Sequence, residues 1–141
     1  MIAQQISVFL ENKSGRLTEV TSLLGEAGIN LTAFSIAENS EFGILRMIVS
    51  DPEKAYKILK EEHFAAKLTD VLCLSCPNTP GALAKALKLL SDEGVFFEYM
   101  YAFANDETAN VIIRPDDIER CIKILQEAKL QLLAASDLYR L

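Results

Sequence analysis

The chain has no tryptophan and a single histidine, His63, so one chain cannot supply a multi-histidine metal site. Its three cysteines, Cys73, Cys76 and Cys121, are odd in number, which argues against a disulfide framework. No apolar run approaches the length of a membrane span. Met1-Ile2-Ala3-Gln4-Gln5 lacks the charged and apolar regions of a signal peptide, so a cytoplasmic location and no membrane partner are expected. Basic residues are few and scattered and the formal net charge is -6, which speaks against nucleic acid as a partner. Catalytic constellations are also missing. A Ser-His-Asp arrangement would have to use His63, which has no nucleophile turn around it, and no Gly-rich phosphate loop occurs. No catalytic residue, metal or cofactor is therefore assigned.

What is present is a repeat. Asn12-Lys13-Ser14-Gly15-Arg16-Leu17 and Asn78-Thr79-Pro80-Gly81-Ala82-Leu83 stand 66 positions apart. The same offset relates Leu23-Leu24 to Leu89-Leu90, Gly28 to Gly94, and Lys57-Ile58-Leu59 to Lys123-Ile124-Leu125. Self-similarity at a fixed long period means two copies of one small fold. Half of the 141 residues are hydrophobic. Units of roughly 65–70 residues are marginal alone, so the halves are expected to bury area against each other or another chain. The boundaries read as 1–70 and 71–141.

Within the first copy, Gln5 to Leu10 is β-branched and aromatic and reads as a strand. Leu17, Val20, Leu24 and Ala27 share one helical face, with Ser14 as N-cap and Gly28 as the stop. Ile29 to Ala37 and Phe42 to Val49 are strands around the polar turn Glu38 to Glu41. Asp51-Pro52 opens a second helix, and Ala66 to Leu72 returns to strand. The second copy repeats this order. Thr79 caps a helix with Pro80 at its first position, Val95 to Phe103 and Val111 to Ile113 are strands, Asp116-Asp117 opens a helix, and Leu130 to Tyr139 closes as a strand. Each half is thus β-α-β-β-α-β, the ferredoxin-like unit, with helices on one face of an antiparallel sheet in an α+β fold. No linker remains at the junction. Ala66 to Cys76 spans only ~35 Å when extended, so one shared strand or an exchange of edge strands should leave the halves closely interlocked.

With the loop, the glycine thirteen residues beyond it and the recurrence in hand, the whole chain resembles a tandem pair of ACT domains. That resemblance implies a non-catalytic regulatory protein that binds a free amino acid at the interface between two copies, as a homodimer, with an amino-acid metabolic enzyme as a possible partner. The ligand's carboxylate would be met by unpaired N–H groups in the first turn of a helix, with Gly15 and Gly81 allowing close approach. The resemblance puts polar contacts at loop amides Asn12 and Asn78 and at the start of the second strand, which is Asn30-Leu31 in repeat 1 but Phe96 in repeat 2. The implied ligand-binding set is Asn12, Lys13, Ser14, Gly15, Arg16, Leu17, Asn30, Leu31, Asn78, Pro80, Gly81, Ala82, Leu83 and Phe96. If a site takes the loop of one copy and the strand of the other, Asn78 with Asn30 is the complete set and Asn12 with Phe96 the defective one. If each site lies within one copy, Asn12 with Asn30 is complete.

Plainer explanations stand beside these. The glycines and loop asparagines suit the turns themselves, and Lys13 and Arg16 suit a solvated surface. Cys73 and Cys76, three apart on a strand, point to opposite faces and read as buried structural thiols. His63 reads as a solvent-facing residue at a helix end. Phe96, Tyr99, Tyr101 and Phe103 suggest a strand covered on both sides. The competing function is a ligand-free interaction module acting by sheet extension; a small enzyme on the same scaffold is the weakest reading.

Overall fold

The computed structural model describes residues 1–39 and 41–141. The elements run β1 (Ala3–Glu11), α1 (Arg16–Glu26), β2 (Leu31–Glu38), β3 (Phe42–Val49), α2 (Pro52–Glu61), β4 (Ala65–Pro77), α3 (Ala82–Asp92), β5 (Phe97–Asn105), β6 (Thr108–Pro115), α4 (Ile118–Glu127), β7 (Gln131–Leu132) and α5 (Ala135–Tyr139). One compact unit comprises Gln4–Thr69 with Tyr139–Leu141, and the other Asp70–Leu138 with Met1–Ala3.

The first unit orders its strands β2-β3-β1-β4. β1 runs antiparallel to β3, with Ile6 opposite Met47 and Val8 opposite Leu45. Alternation along β1 sends Ile6, Val8 and Leu10 to the face that α1 and α2 cover, where they join Val20, Leu24, Ala55 and Leu59 in one core. The second unit orders its strands β5-β6-β4-β7 around an equivalent core of Leu72, Leu74, Ala86, Leu90, Ile113, Cys121 and Leu125. Each is the expected ferredoxin-like arrangement with helices on one face of an antiparallel sheet.

The junction is one 13-residue strand, β4. Apart from the exposed Asp70, its even-numbered residues face a helix-covered core: Ala66 and Leu68 the first, Leu72, Leu74 and Cys76 the second. The helices end as the glycines require. Gly28 and Gly94 take φ 74° and 72°, while His63 and Lys129, again 66 apart, do the same without being glycine (φ 66° and 60°).

Four readings need correction. Ser14 and Thr79 do not cap their helices, and Pro80 is not the first helical residue: Gly15 and Gly81 are the N-caps, with no side-chain cap bond. Leu130 to Tyr139 is not a strand: only Gln131–Leu132 pairs, and Ala135–Tyr139 turns helical as Asp137 and Leu138 N–H groups donate to the Ala134 carbonyl. β5 is not covered on both sides. It is an outer strand with no buried residue. A register shift between Phe97 and Tyr99 resets its alternation, so Phe97 and Met100 reach the core while Tyr101, opposite Ile112, takes the other face. The same shift sits between Leu31 and Ala33 in β2. Of the polar turn read from Glu38 to Glu41, Ser40 lies outside the described residues.

Candidate functional site

The strand-to-helix loop of each repeat is built on a glycine at φ 87°. That conformation is costly for any residue with a Cβ. A Cβ there would meet nothing within 4 Å, so backbone conformation alone demands glycine and the space outside it is open. Because the N-cap is glycine, the first helical turn has no side-chain cap. The Leu17 and Thr18 N–H groups in α1, and those of Leu83 and Ala84 in α3, have no acceptor among the described residues. Two helix N-termini are thereby left open, each with the positive end of its dipole behind it.

The rest of each loop is tied to the β-hairpin beside it. Asn12 N–H donates to the Glu41 carbonyl at 3.0 Å, and Asn78 N–H to the Glu107 carbonyl at 2.7 Å. The Asn78 side-chain amide also donates to the Asp106 carbonyl at 3.2 Å. This amide thus holds its own turn, as the plainer reading of Asn78 expects.

Charge separates the two loops. In the first repeat Lys13 pairs with Glu11 at 2.8 Å, and Arg16 reaches Glu11 at 3.5 Å and Glu19 at 3.2 Å. Arg16 also lies over the Phe64 ring, 5.7 Å from its centroid. The hydrogen bond and charge of Lys13, then the charge of Arg16, lower the Glu11 pKa. In the second repeat Pro77, Thr79 and Ala82 stand at the positions of Glu11, Lys13 and Arg16. This ion-pair cluster has no counterpart there.

Asn30 and Phe96 lie at the opposite end of their units. Asn30 N–H donates to Ser50 Oγ at 2.9 Å, and Ser50 N–H donates back to the Asn30 carbonyl at 2.9 Å. In the second repeat Phe96 N–H donates to Asp116 Oδ1 at 3.2 Å, and Asp116 N–H to the Phe96 carbonyl at 2.9 Å. A cation closes each corner: Lys54 Nζ donates to the Ala27 carbonyl at 3.0 Å, and Arg120 donates to the Glu93 carbonyl. The backbone at positions 30 and 96 is therefore held in the same way, and only the side chain differs. The Asn30 amide is exposed and makes no hydrogen bond among the described residues. Phe96 is 75% exposed, so it is no core residue. Leu31 packs on the first core.

This geometry overturns one arrangement. Asn12 stands beside the start of β3, bonded to Glu41, while Asn30 is bonded to Ser50 just past the end of β3. Eight extended residues lie between them, a separation of about 25 Å. Asn12 and Asn30 of one repeat cannot touch the same small ligand. Asn12, Lys13, Ser14, Gly15, Arg16 and Leu17 thus gather at one end of the first unit and Asn30 and Leu31 at the other. In the second unit Asn78, Pro80, Gly81, Ala82 and Leu83 gather at the loop end and Phe96 lies at the far one. The corner partners Ser50, Lys54, Asp116 and Arg120 were not singled out from sequence, although the offset of 66 links Ser50 to Asp116 and Lys54 to Arg120.

All three cysteines are buried and free. Burial pushes the Cys73 thiol up to about 12 and, with the nearby Asp116 and Asp117, the Cys121 thiol up to about 11. Cys76 lines the helix-covered core and Cys73 does not, in keeping with divergent side chains. His63 is exposed. Among the described residues no cluster of His, Cys, Asp and Glu fits a metal ion, and no helix is long and apolar enough to cross a membrane.

The chain is similar to protein BT0572 from Bacteroides thetaiotaomicron, whose crystal structure superposes with a TM-score of 0.97 at 65% identity, covering 100% of this chain and 98% of that one. It also resembles the regulatory subunit of aspartate kinase from Thermus thermophilus in its ligand-free form (TM-score 0.66, 19% identity, 89% and 91% of the two chains). The corresponding subunit from Thermus flavus gives a TM-score of 0.61 at 19% identity, again covering 89% and 91%. At that identity the likeness is one of fold. A search of curated proteins gave no match. The family model for an ACT domain pair matches residues 1–141. With two ferredoxin-like units, a repeated glycine-opened helix and that match over its full length, the chain belongs to the ACT domain pair family.

Proposed function

We propose that this chain is a non-catalytic regulatory protein that binds a free amino acid at the interface between ACT repeats. Two unspent polar features carry this reading, of which duplication repeats the first and alters the second. Two helix N-termini carry N–H groups without acceptors among the described residues. The exposed Asn30 amide sits where its repeat counterpart is Phe96. A ligand carboxylate suits the former, and a ligand ammonium suits the Asn30 side-chain carbonyl. Because loop and strand ends of one repeat are about 25 Å apart, a ligand using both must take them from two repeats, of one chain or of two. Asn30 with the loop of Asn78 is then the amide-complete set and Phe96 with the loop of Asn12 the altered one. Binding that prefers one arrangement of the repeats would pass a signal to a partner, for which an amino-acid metabolic enzyme is the natural class.

The test is a melting-temperature screen of the chain, as the homodimer this reading expects, against the twenty amino acids. A ligand at ~100 times its dissociation constant adds about 2.7 kcal/mol of stability. Asn30→Ala should weaken the response at least tenfold in affinity. No shift with any amino acid at millimolar concentration would sink this reading. It would promote the second, a ligand-free interaction module, which the 60% exposed Phe34 on the outer strand β2 favours.

A further inference from the structure

Resting on that reading, we infer that the loop end of the second repeat takes the side chain of an apolar amino acid of leucine, isoleucine, valine or methionine type, and that the first repeat's does not. Beside the Gly81 loop lies a cavity of about 640 Å³. This is within the ~300–1,000 Å³ of small-ligand sites. Pro80, Ala82, Ala86, Leu89, Ala128 and Leu130 wall it. The duplicated position in the first unit holds a cavity of about 310 Å³, and its lining includes Glu11, Arg16, Glu62, His63 and Phe64.

The difference is concerted. Pro77 stands at the position of Glu11, Ala82 at that of Arg16, Ala128 at that of Glu62 and Leu130 at that of Phe64. Every one of these changes removes a charge or shortens a side chain around the same space. In the first repeat Arg16 fills its cavity's edge, held by Glu11 and Glu19 and stacked on Phe64. In the second, Ala82 leaves that volume empty. The lining contains no Asp or Glu to pair a basic ligand side chain, and apart from Ser75, Thr79, Lys85 and the Cys76 thiol its side chains are apolar, so a polar ligand side chain would find few partners for the water it gives up. The one charged side chain in the lining is Lys85, which has no ion-pair partner among the described residues and stands where the first repeat has Glu19. Its charge suits the ligand's α-carboxylate, so the head group lies at the loop and the apolar side chain in the cavity.

The experiment is a melting-temperature titration of the full chain with each of the twenty amino acids, in wild type, Ala82→Arg and Leu130→Phe. Both variants install the side chain that the first repeat already bears at that position, so the fold has a precedent for each. The expected result is a shift confined to leucine, isoleucine, valine or methionine, with affinity reduced at least tenfold in Ala82→Arg and reduced in Leu130→Phe. A response only to polar, acidic or basic amino acids overturns the apolar assignment and leaves the regulatory reading standing. So does an apolar ligand whose affinity is unchanged in both variants. A flat response to all twenty overturns both.

Discussion

At the scale of single residues, the positions that matter are those where the two repeats disagree. Asn30 and Phe96 share their backbone bonds, so the exchange changes the exposed side chain without changing the fold. Arg16 and Ala82 differ in the same way at the loop end. The buried thiols have a consequence for stability in alkali. Cys73 and Cys121 titrate near 9.0 when unfolded but at about 12 and about 11 when folded. Above pH 9 the unfolded chain has lost protons that the folded one retains, so stability is full below that pH and falls as pH rises towards 11–12. Each group steepens the fall by up to about 1.4 kcal/mol per pH unit. Urea unfolding at pH 8, 9 and 10 should give a shallower pH slope for Cys73→Ala than for wild type. An identical slope would contradict the thiol's burial as the cause.

At the scale of elements, the four long helices start in two different ways. The second helix of each repeat is capped by a side chain: Asp51 Oδ1 accepts from Lys54 N–H at 3.2 Å, and Asp117 Oδ1 from Arg120 N–H at 3.1 Å. The first helix of each repeat is opened by glycine and left uncapped. Asp117→Ala should therefore cost about 1 kcal/mol. Ser14→Ala and Thr79→Ala should change stability by less than about 0.5 kcal/mol, measured by the same denaturant unfolding. A cost for Ser14→Ala equal to that of Asp117→Ala would show that Ser14 caps after all. A capping side chain would occupy the N–H groups that an amino-acid carboxylate needs, so the uncapped ends are the ones consistent with binding.

For the whole molecule, the organising element is β4. Its first residues complete the sheet of one unit and its last residues begin the sheet of the other. The termini follow the same logic: Tyr139–Leu141 belongs to the unit of Gln4–Thr69, where the Tyr139 hydroxyl accepts from Gln4 N–H at 2.7 Å. Fragments 1–70 and 71–141 follow the sequence repeat, yet each would lack part of β4 and part of its own unit. At roughly 70 residues, a unit has little margin for such a loss. Expressed separately, both fragments should be unfolded by far-UV circular dichroism while the full chain is folded. A folded, cooperatively melting 1–70 fragment would show that one repeat stands alone.

The order of elements as far as α4, the two helix-covered cores and the helix starts at Asp51-Pro52 and Asp116-Asp117 were legible in the sequence. They follow from local periodicity and from residues acting on their own neighbours. The glycine stops and the repeat itself were legible for the same reason. The N-caps at Gly15 and Gly81 were misread because Ser14 and Thr79 have the right chemistry one or two positions too early, and only the φ of the following glycine shows that the helix begins after it. The outer position of β5 was misread because the shift at Glu98 lies in the pairing of two strands. Sequence alone determined that one fold occurs twice and that Asn30 and Phe96 are counterparts. Tertiary structure decided that Asn12 and Asn30 stand about 25 Å apart and that Ala82 and Ala128 face one cavity. Those separations are set by how β3, α3 and the end of α4 pack across long stretches of chain, which no local pattern records.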